Sequence, residues 1–129
     1  MSIRVVRLGS PRQANEGLRI GTVRRPPRGV KKEKLASENW YDLWLPQLAP
    51  SAELLKEAQA ATTDAAWQRF TRKYEAEMSA PDNARLLAVL AALSRDANFA
   101  VGCYCEDETR CHRSILRRLF EEAGAYGVR

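Results

Sequence analysis

Phe99-Ala100-Val101-Gly102-Cys103-Tyr104-Cys105-Glu106-Asp107-Glu108-Thr109-Arg110-Cys111-His112-Arg113-Ser114 is the stretch on which the reading of this chain turns. The apolar run from Phe99 to Cys103 reads as a central, buried strand. Beyond it Ile115, Leu116, Leu119, Phe120 and Ala123 recur at helical spacing, and Gly124 is placed to end that helix. All three cysteines and the only histidine lie between the two, from the end of the strand to the first helical turn. In open α/β sheets ligands bind outside the carboxyl ends of strands, often against a helix N-terminus. The stretch therefore marks a candidate site.

Working back from it, Asn83 to Ser94 predicts a helix with Leu86, Leu87, Leu90 and Leu93 on one face. Another helix is expected to begin at Thr62 or Thr63 and to carry Trp67, Phe70, Tyr74 and Met78 as its apolar stripe. Ser51 is a natural N-cap for a helix running to about Ala60, with Glu53 suited to its positive end. Trp40 and Trp44, four residues apart, predict a short core-packed helix before Pro46, with a base-stacking surface as the alternative. Ile3 to Leu8 and Leu18 to Val23 read as strands, stopped by Gly9-Ser10-Pro11 and by Pro26-Pro27. The expected architecture is an α/β fold: a small, mostly parallel sheet flanked by helices, as a single domain over residues 1–124 with a loose tail at 125–129.

At 129 residues the chain suits one domain that needs no disulfide staple. Three cysteines crowded between 103 and 111 do not form a secreted disulfide framework; they suit reduced thiols, a metal cluster or a redox pair. With no apolar stretch of membrane-spanning length and no secretory-type leader, a cytoplasmic, membrane-free protein is expected. The net charge of +5 is uneven: residues 1–34 carry ten Lys and Arg against Glu16 and Glu33, whereas the remainder is net acidic. Five of those cations fall in Arg24-Arg25-Pro26-Pro27-Arg28-Gly29-Val30-Lys31-Lys32. This loop reads either as an anion site or as a solvated basic segment.

Three chemistries fit the cysteine stretch. A thiol at a strand end ahead of a helix N-terminus is the layout that lowers a thiol pKa and binds an oxyanion, which makes Cys105 a candidate nucleophile or redox thiol, His112 a candidate acid/base and Arg113 a candidate anion clamp. Four residues separate Cys105 from Arg110, closer to the spacing of sulfur transferases than to that of tyrosine phosphatases. The intervening Glu106, Asp107 and Glu108 are expected to oppose both a thiolate and a bound anion. A metal site is the second chemistry: Cys103, Cys105, Cys111 and His112 offer four donors, although Cys111 and His112, if both helical, would project about 100° apart. In the third, each cysteine is a small buried residue and His112 satisfies backbone carbonyls. All three leave a helix start that attracts anions. With Arg24, Arg28, Lys31, Arg110 and Ser114 as binding groups, a small phosphorylated or carboxylated ligand is the expected partner, and a thiol-dependent transferase or hydrolase the expected enzyme class. Nucleic-acid binding is the alternative: the basic first quarter is compatible with it, but no nucleic-acid-binding motif accompanies it. The residues name no cofactor and set no oligomeric state.

Gly17-Leu18-Arg19-Ile20, the Arg28-Gly29-Val30-Lys31-Lys32 loop, Trp40 and the Pro50-Ser51-Ala52-Glu53-Leu54 cap, together with Cys103-Tyr104-Cys105-Glu106 and Cys111-His112-Arg113-Ser114, resemble the domain-of-unknown-function family 488, the YeaO-like proteins. The resemblance spans most of the chain. It implies a compact α/β domain with both loops near one edge of the sheet, and it implies no particular reaction. The family usually carries an aspartate and an aromatic where this chain has Val23-Arg24-Arg25-Pro26-Pro27.

Overall fold

A computed structural model describes residues 1–129. Four strands, β1 (Ile3–Arg7), β2 (Leu18–Gly21), β3 (Leu43–Trp44) and β4 (Phe99–Cys103), form one sheet in the order β1-β4-β2-β3, and every neighbouring pair is parallel. Four helices accompany it: α1 (Ala52–Ala60), α2 (Asp64–Met78), α3 (Pro81–Leu93) and α4 (His112–Glu122). All five residues of β4 are buried, as the apolar run of a strand between two others requires. Ile3, Ile20, Phe99 and Val101 share one face of the sheet and join residues from all four helices in a single cluster, with Phe70, Tyr74, Leu116 and Phe120 at its centre. No helix is long and apolar enough to cross a membrane.

The caps fall where the sequence places them. Ser51 Oγ accepts from Leu54 N–H, and Thr63 Oγ1 accepts from Ala66 N–H. Gly124, at φ +85°, follows the end of α4. The aromatic segment departs from expectation. Trp40 and Trp44 share no helix; Leu43 and Trp44 instead pair with Ile20 and Gly21 as a short edge strand. Helical spacing over so short a run coincides with extended backbone, and the sheet hydrogen bonds prevail. Tyr41 is the buried member of this segment, whereas Trp44 is half-exposed and donates its indole N–H to the Val23 carbonyl at 2.7 Å. Leu93 of the predicted apolar face is also half-exposed. The stretch 125–129, read from sequence as a loose tail, runs beside the outer edge of β1. There Arg129 N–H donates to Ile3 O at 2.8 Å, and Val5 N–H donates to Arg129 O at 2.7 Å.

Loops cover the opposite face, and they are held by a buried charge. Parallel neighbours usually need a helical crossover, yet residues 8–17 pass from β1 to β2 across β4 without one. Arg19, on β2, is fully buried and directed into this loop layer. Its five N–H donors all find acceptors: Glu16 takes two (2.9 and 3.0 Å), and the carbonyls of Ser10 (2.8 Å), Asn39 (2.7 Å) and Pro11 (3.4 Å) take the rest. Asp42 ties the same loops together, accepting from Arg12 at 2.8 and 3.1 Å and from Arg19 N–H at 2.8 Å. Gly17 turns the chain into β2 at φ +79°, where a Cβ would stand 1.9 Å from the Asn98 carbonyl oxygen.

Burial alone would raise the Glu16 carboxyl pKa. The hydrogen bonds from Arg19 and Gln13 and the charges of Arg19 and Arg12 outweigh it and hold the group below its ordinary value of 4.5. The stabilisation this pair provides is therefore complete above pH 4.5 and is lost as pH falls through the lower folded-state value. Glu16→Gln should cost about 3–5 kcal/mol in denaturant unfolding at neutral pH, because it leaves the Arg19 charge buried and unpaired. It should also remove part of the wild-type loss of stability in acid; an unchanged midpoint at both pH values would show that the pair does not hold the loop layer.

Candidate functional site

The register of the sheet sets the site. Arg7 lies opposite Cys103 and Gly21 opposite Gly102, so the carboxyl ends of β1, β4 and β2 finish level with one another. A cavity of about 870 Å³ opens there. Arg7 and Leu8 line it from β1, Val23 to Arg28 from the loop after β2, and Cys103 to Cys105 from the loop after β4. Trp40, Pro50, Leu55, Gln59 and His112 complete the wall. Four arginines face it, at positions 7, 24, 25 and 28, and no carboxylate does. Arg24 is oriented by the carbonyls of Pro50 (2.9 Å) and Ala49 (3.1 Å), and the Tyr104 hydroxyl donates to Arg25 O at 2.9 Å, joining the basic loop to the cysteine loop.

Acidic residues were expected to oppose an anion here, and the structure turns them elsewhere. Asp107 accepts from Thr109 N–H (3.0 Å) and hydroxyl (2.6 Å), Glu108 pairs with Arg117 (2.6 Å), and the exposed Glu106 pairs with Arg7 (3.6 Å). None of the three lines the cavity.

At the floor of the cavity the three thiols meet. Cys103 and Cys111 are buried and Cys105 is exposed; all three are free. Cys103 Sγ lies 3.7 Å from Cys105 Sγ, and Cys111 Sγ lies 3.8 Å from His112 Nδ1. The expectation that Cys111 and His112 diverge fails for a local reason. Cys111 is not helical: at φ −130° and ψ 148° it is the extended N-cap of α4, which turns its sulfur back toward the histidine ring. His112 Nε2 is 2.7 Å from the Thr22 carbonyl, which can only accept; Nε2 therefore carries the proton, and Nδ1 presents a lone pair to the thiols. Tyr74 packs edge-on against the ring at 5.6 Å between centroids.

The thiols divide the charge among them. Cys105 is pushed down to about 3, chiefly because the Cys103 and Cys111 thiols hydrogen-bond to it, with the Arg113 charge adding to the effect. Cys103 is raised as the donor to both neighbours, and Cys111 is lowered by its bond from Cys103 and by His112. Arg113 lies beneath this loop, buried. One of its terminal nitrogens donates to Cys105 O at 2.6 Å, and its Nε has no partner.

Of the residues singled out from sequence, Arg24, Arg28, Cys103, Cys105 and His112 come together at the cavity. Cys111 lies directly behind them. Arg113 reaches the loop from below instead of the cavity, and Ser114 returns its hydroxyl to Cys111 O at 2.9 Å. Arg110 faces away, paired with Asp64 and placed over the Trp67 ring, and Lys31 lies outside the lining. Sequence reasoning missed Arg7 and Thr22, and counted Arg25 only as one cation of the basic loop. Only the strand order, which sets β4 between β1 and β2, brings Arg7 and Thr22 beside the cysteines.

A family model described as the active DUF488-N3 subclade matches residues 3–124. The chain belongs to the DUF488 family. Its match takes in both the arginine loop and the Cys103–Ser114 element, so the cavity lies within the family domain. No curated protein and no solved structure matches the chain.

In reduced, metal-free protein, iodoacetamide should modify one thiol far faster than the other two, and Cys105→Ser should remove that fast phase. Its rate should stay nearly flat from about pH 5 to 8, since the thiolate is already formed, and not climb tenfold per unit as an ordinary thiol does. A fast phase that survives Cys105→Ser would assign the reactive thiolate elsewhere.

Proposed function

We propose that this DUF488 protein binds a small molecule bearing a phosphate or carboxylate group in the arginine-lined cavity. The observation that carries the reading is that four arginines, and no carboxylate residue, line one concavity at the carboxyl edge of a parallel sheet. Arginine forks match the planar geometry of both anions. A small ligand is favoured over nucleic acid because the arginines line a concavity and the neighbouring aromatics are engaged: Tyr41 is buried, Trp40 packs against Tyr104, and Trp44 bonds to Val23. A reducing cytoplasm is the setting that suits three free thiols.

The enzymatic form of this reading is a thiol-dependent transferase or hydrolase. It is supported by Cys105, the one exposed sulfur, standing on the wall of the same cavity. Its thiolate would attack an electrophilic carbon or phosphorus of the bound ligand, and the leaving group would depart with its electron pair.

Calorimetric titration with phosphate or sulfate should give one site per chain. Replacing Arg24 and Arg28 together by alanine should weaken it by at least about tenfold, as the loss of charged hydrogen bonds predicts. Arg110→Ala, which lies outside the cavity, should leave it unchanged. Equal weakening by all these variants, or tight and steeply salt-dependent binding of an oligonucleotide in place of the small anion, would contradict the reading.

A further inference from the structure

We infer that Cys103, Cys111 and His112, closed on the cavity side by Cys105, hold one divalent metal ion of the zinc class. The sulfurs of Cys103 and Cys111 and a ring nitrogen of His112 all lie within 4.8 Å of one another, and all three residues are buried. Metal–sulfur bonds of about 2.3 Å and metal–nitrogen bonds of about 2.0 Å at tetrahedral angles place neighbouring donors roughly 3.5–3.8 Å apart. The Cys103–Cys105 separation of 3.7 Å and the Cys111–His112 separation of 3.8 Å already have this length. Within the buried triad, the remaining pairs need to close by at most about 1 Å, given its 4.8 Å limit, and Cys105 joins them through its contact with Cys103.

The outer shell is in place as well. A ligating histidine usually donates its other ring N–H to a carbonyl or carboxylate, and Thr22 O accepts that bond at 2.7 Å. The bond leaves Nδ1 as the free donor on the side of the sulfurs. Charge agrees: three thiolates around a divalent ion leave one net negative charge, and the buried Arg113 lies beneath the same loop with no carboxylate partner. Three of the four donors are buried, whereas Cys105 is exposed on the cavity wall. The ion would thus have three buried protein ligands and a fourth, Cys105, at the cavity wall, a three-cysteine, one-histidine set of the kind that zinc takes. A metal at that position also keeps Cys105 deprotonated. This inference rests on the buried triad and does not depend on the anion reading.

The test is a zinc titration of reduced, metal-free protein under anaerobic conditions, in competition with a chromophoric chelator, with reactive thiols counted in the same samples. One equivalent should bind, and the thiol count should fall from three as it does. Cys111→Ser should weaken binding by at least the roughly 100-fold that loss of an outer-shell partner can cost. Cys105→Ser should still take one equivalent, more weakly, because the buried triad remains. No stoichiometric binding by folded wild type, or wild-type affinity in folded Cys111→Ser, would overturn the inference. Should Cys111→Ser fail to fold, the wild-type stoichiometry, the thiol count and the exposed Cys105→Ser variant still decide it. Phosphate binding by the metal-free protein depends on Arg24 and Arg28, so failure of either proposal is read separately.

Discussion

The buried guanidinium of Arg19 is the constraint on which the rest of the arrangement depends. A chain that runs from β1 to β2 without a crossover helix must cover one face of its sheet with loops, and loops bring backbone carbonyls that need partners. Arg19 supplies them. One planar group with five donors satisfies the Glu16 carboxylate and three carbonyls from two separate loops. Glu16, three residues before Arg19 and itself in the β1–β2 loop, keeps the charge neutral. The same device sets the two loops whose neighbours, Arg7 to Ser10 and Trp40, form one wall of the cavity.

The sheet then does the assembling. With β4 between β1 and β2, three chain segments remote in sequence end side by side. Gly102 and Gly21 at adjacent positions let Leu8 and Tyr41 settle close over the strand ends, where any Cβ would collide with them. Arginines arrive from β1 and from the loop after β2, thiols from the loop after β4, and the imidazole from the first turn of α4. The geometry separates two environments within a short distance: a solvent-open, cationic cavity above, and a buried Cys-Cys-His floor below, with Cys105 at their boundary.

Much of this was legible from residue pattern. β4 and α4 are nearly where the apolar run and the helical spacing put them, the Ser51 and Thr63 caps hold, and the fold and family agree with the resemblance. The errors share one physical origin, which is that local spacing does not reveal long-range pairing. Trp40 and Trp44 looked helical because four-residue spacing is ambiguous over so short a run. Cys111 and His112 were expected to diverge because a helix was extended one residue too far, across the N-cap that turns Cys111 inward. Arg113 and Arg110 carry the charges expected of anion clamps, but α4 buries the first beneath the loop and the second is drawn to Asp64. Arg7 offered no local signal at all, since its role follows from the strand order.

If the arginine cavity and the cysteine floor form one site, phosphate bound in the cavity governs access to Cys105, and the decisive measurement is the alkylation rate of Cys105 in reduced, metal-free protein as phosphate is added. A single site predicts that the rate falls along the same saturation curve as phosphate binding, because the anion occupies the space through which the reagent must approach. A rate that is indifferent to saturating phosphate would contradict the account, and would leave the basic loop and the thiols as neighbours without a common function.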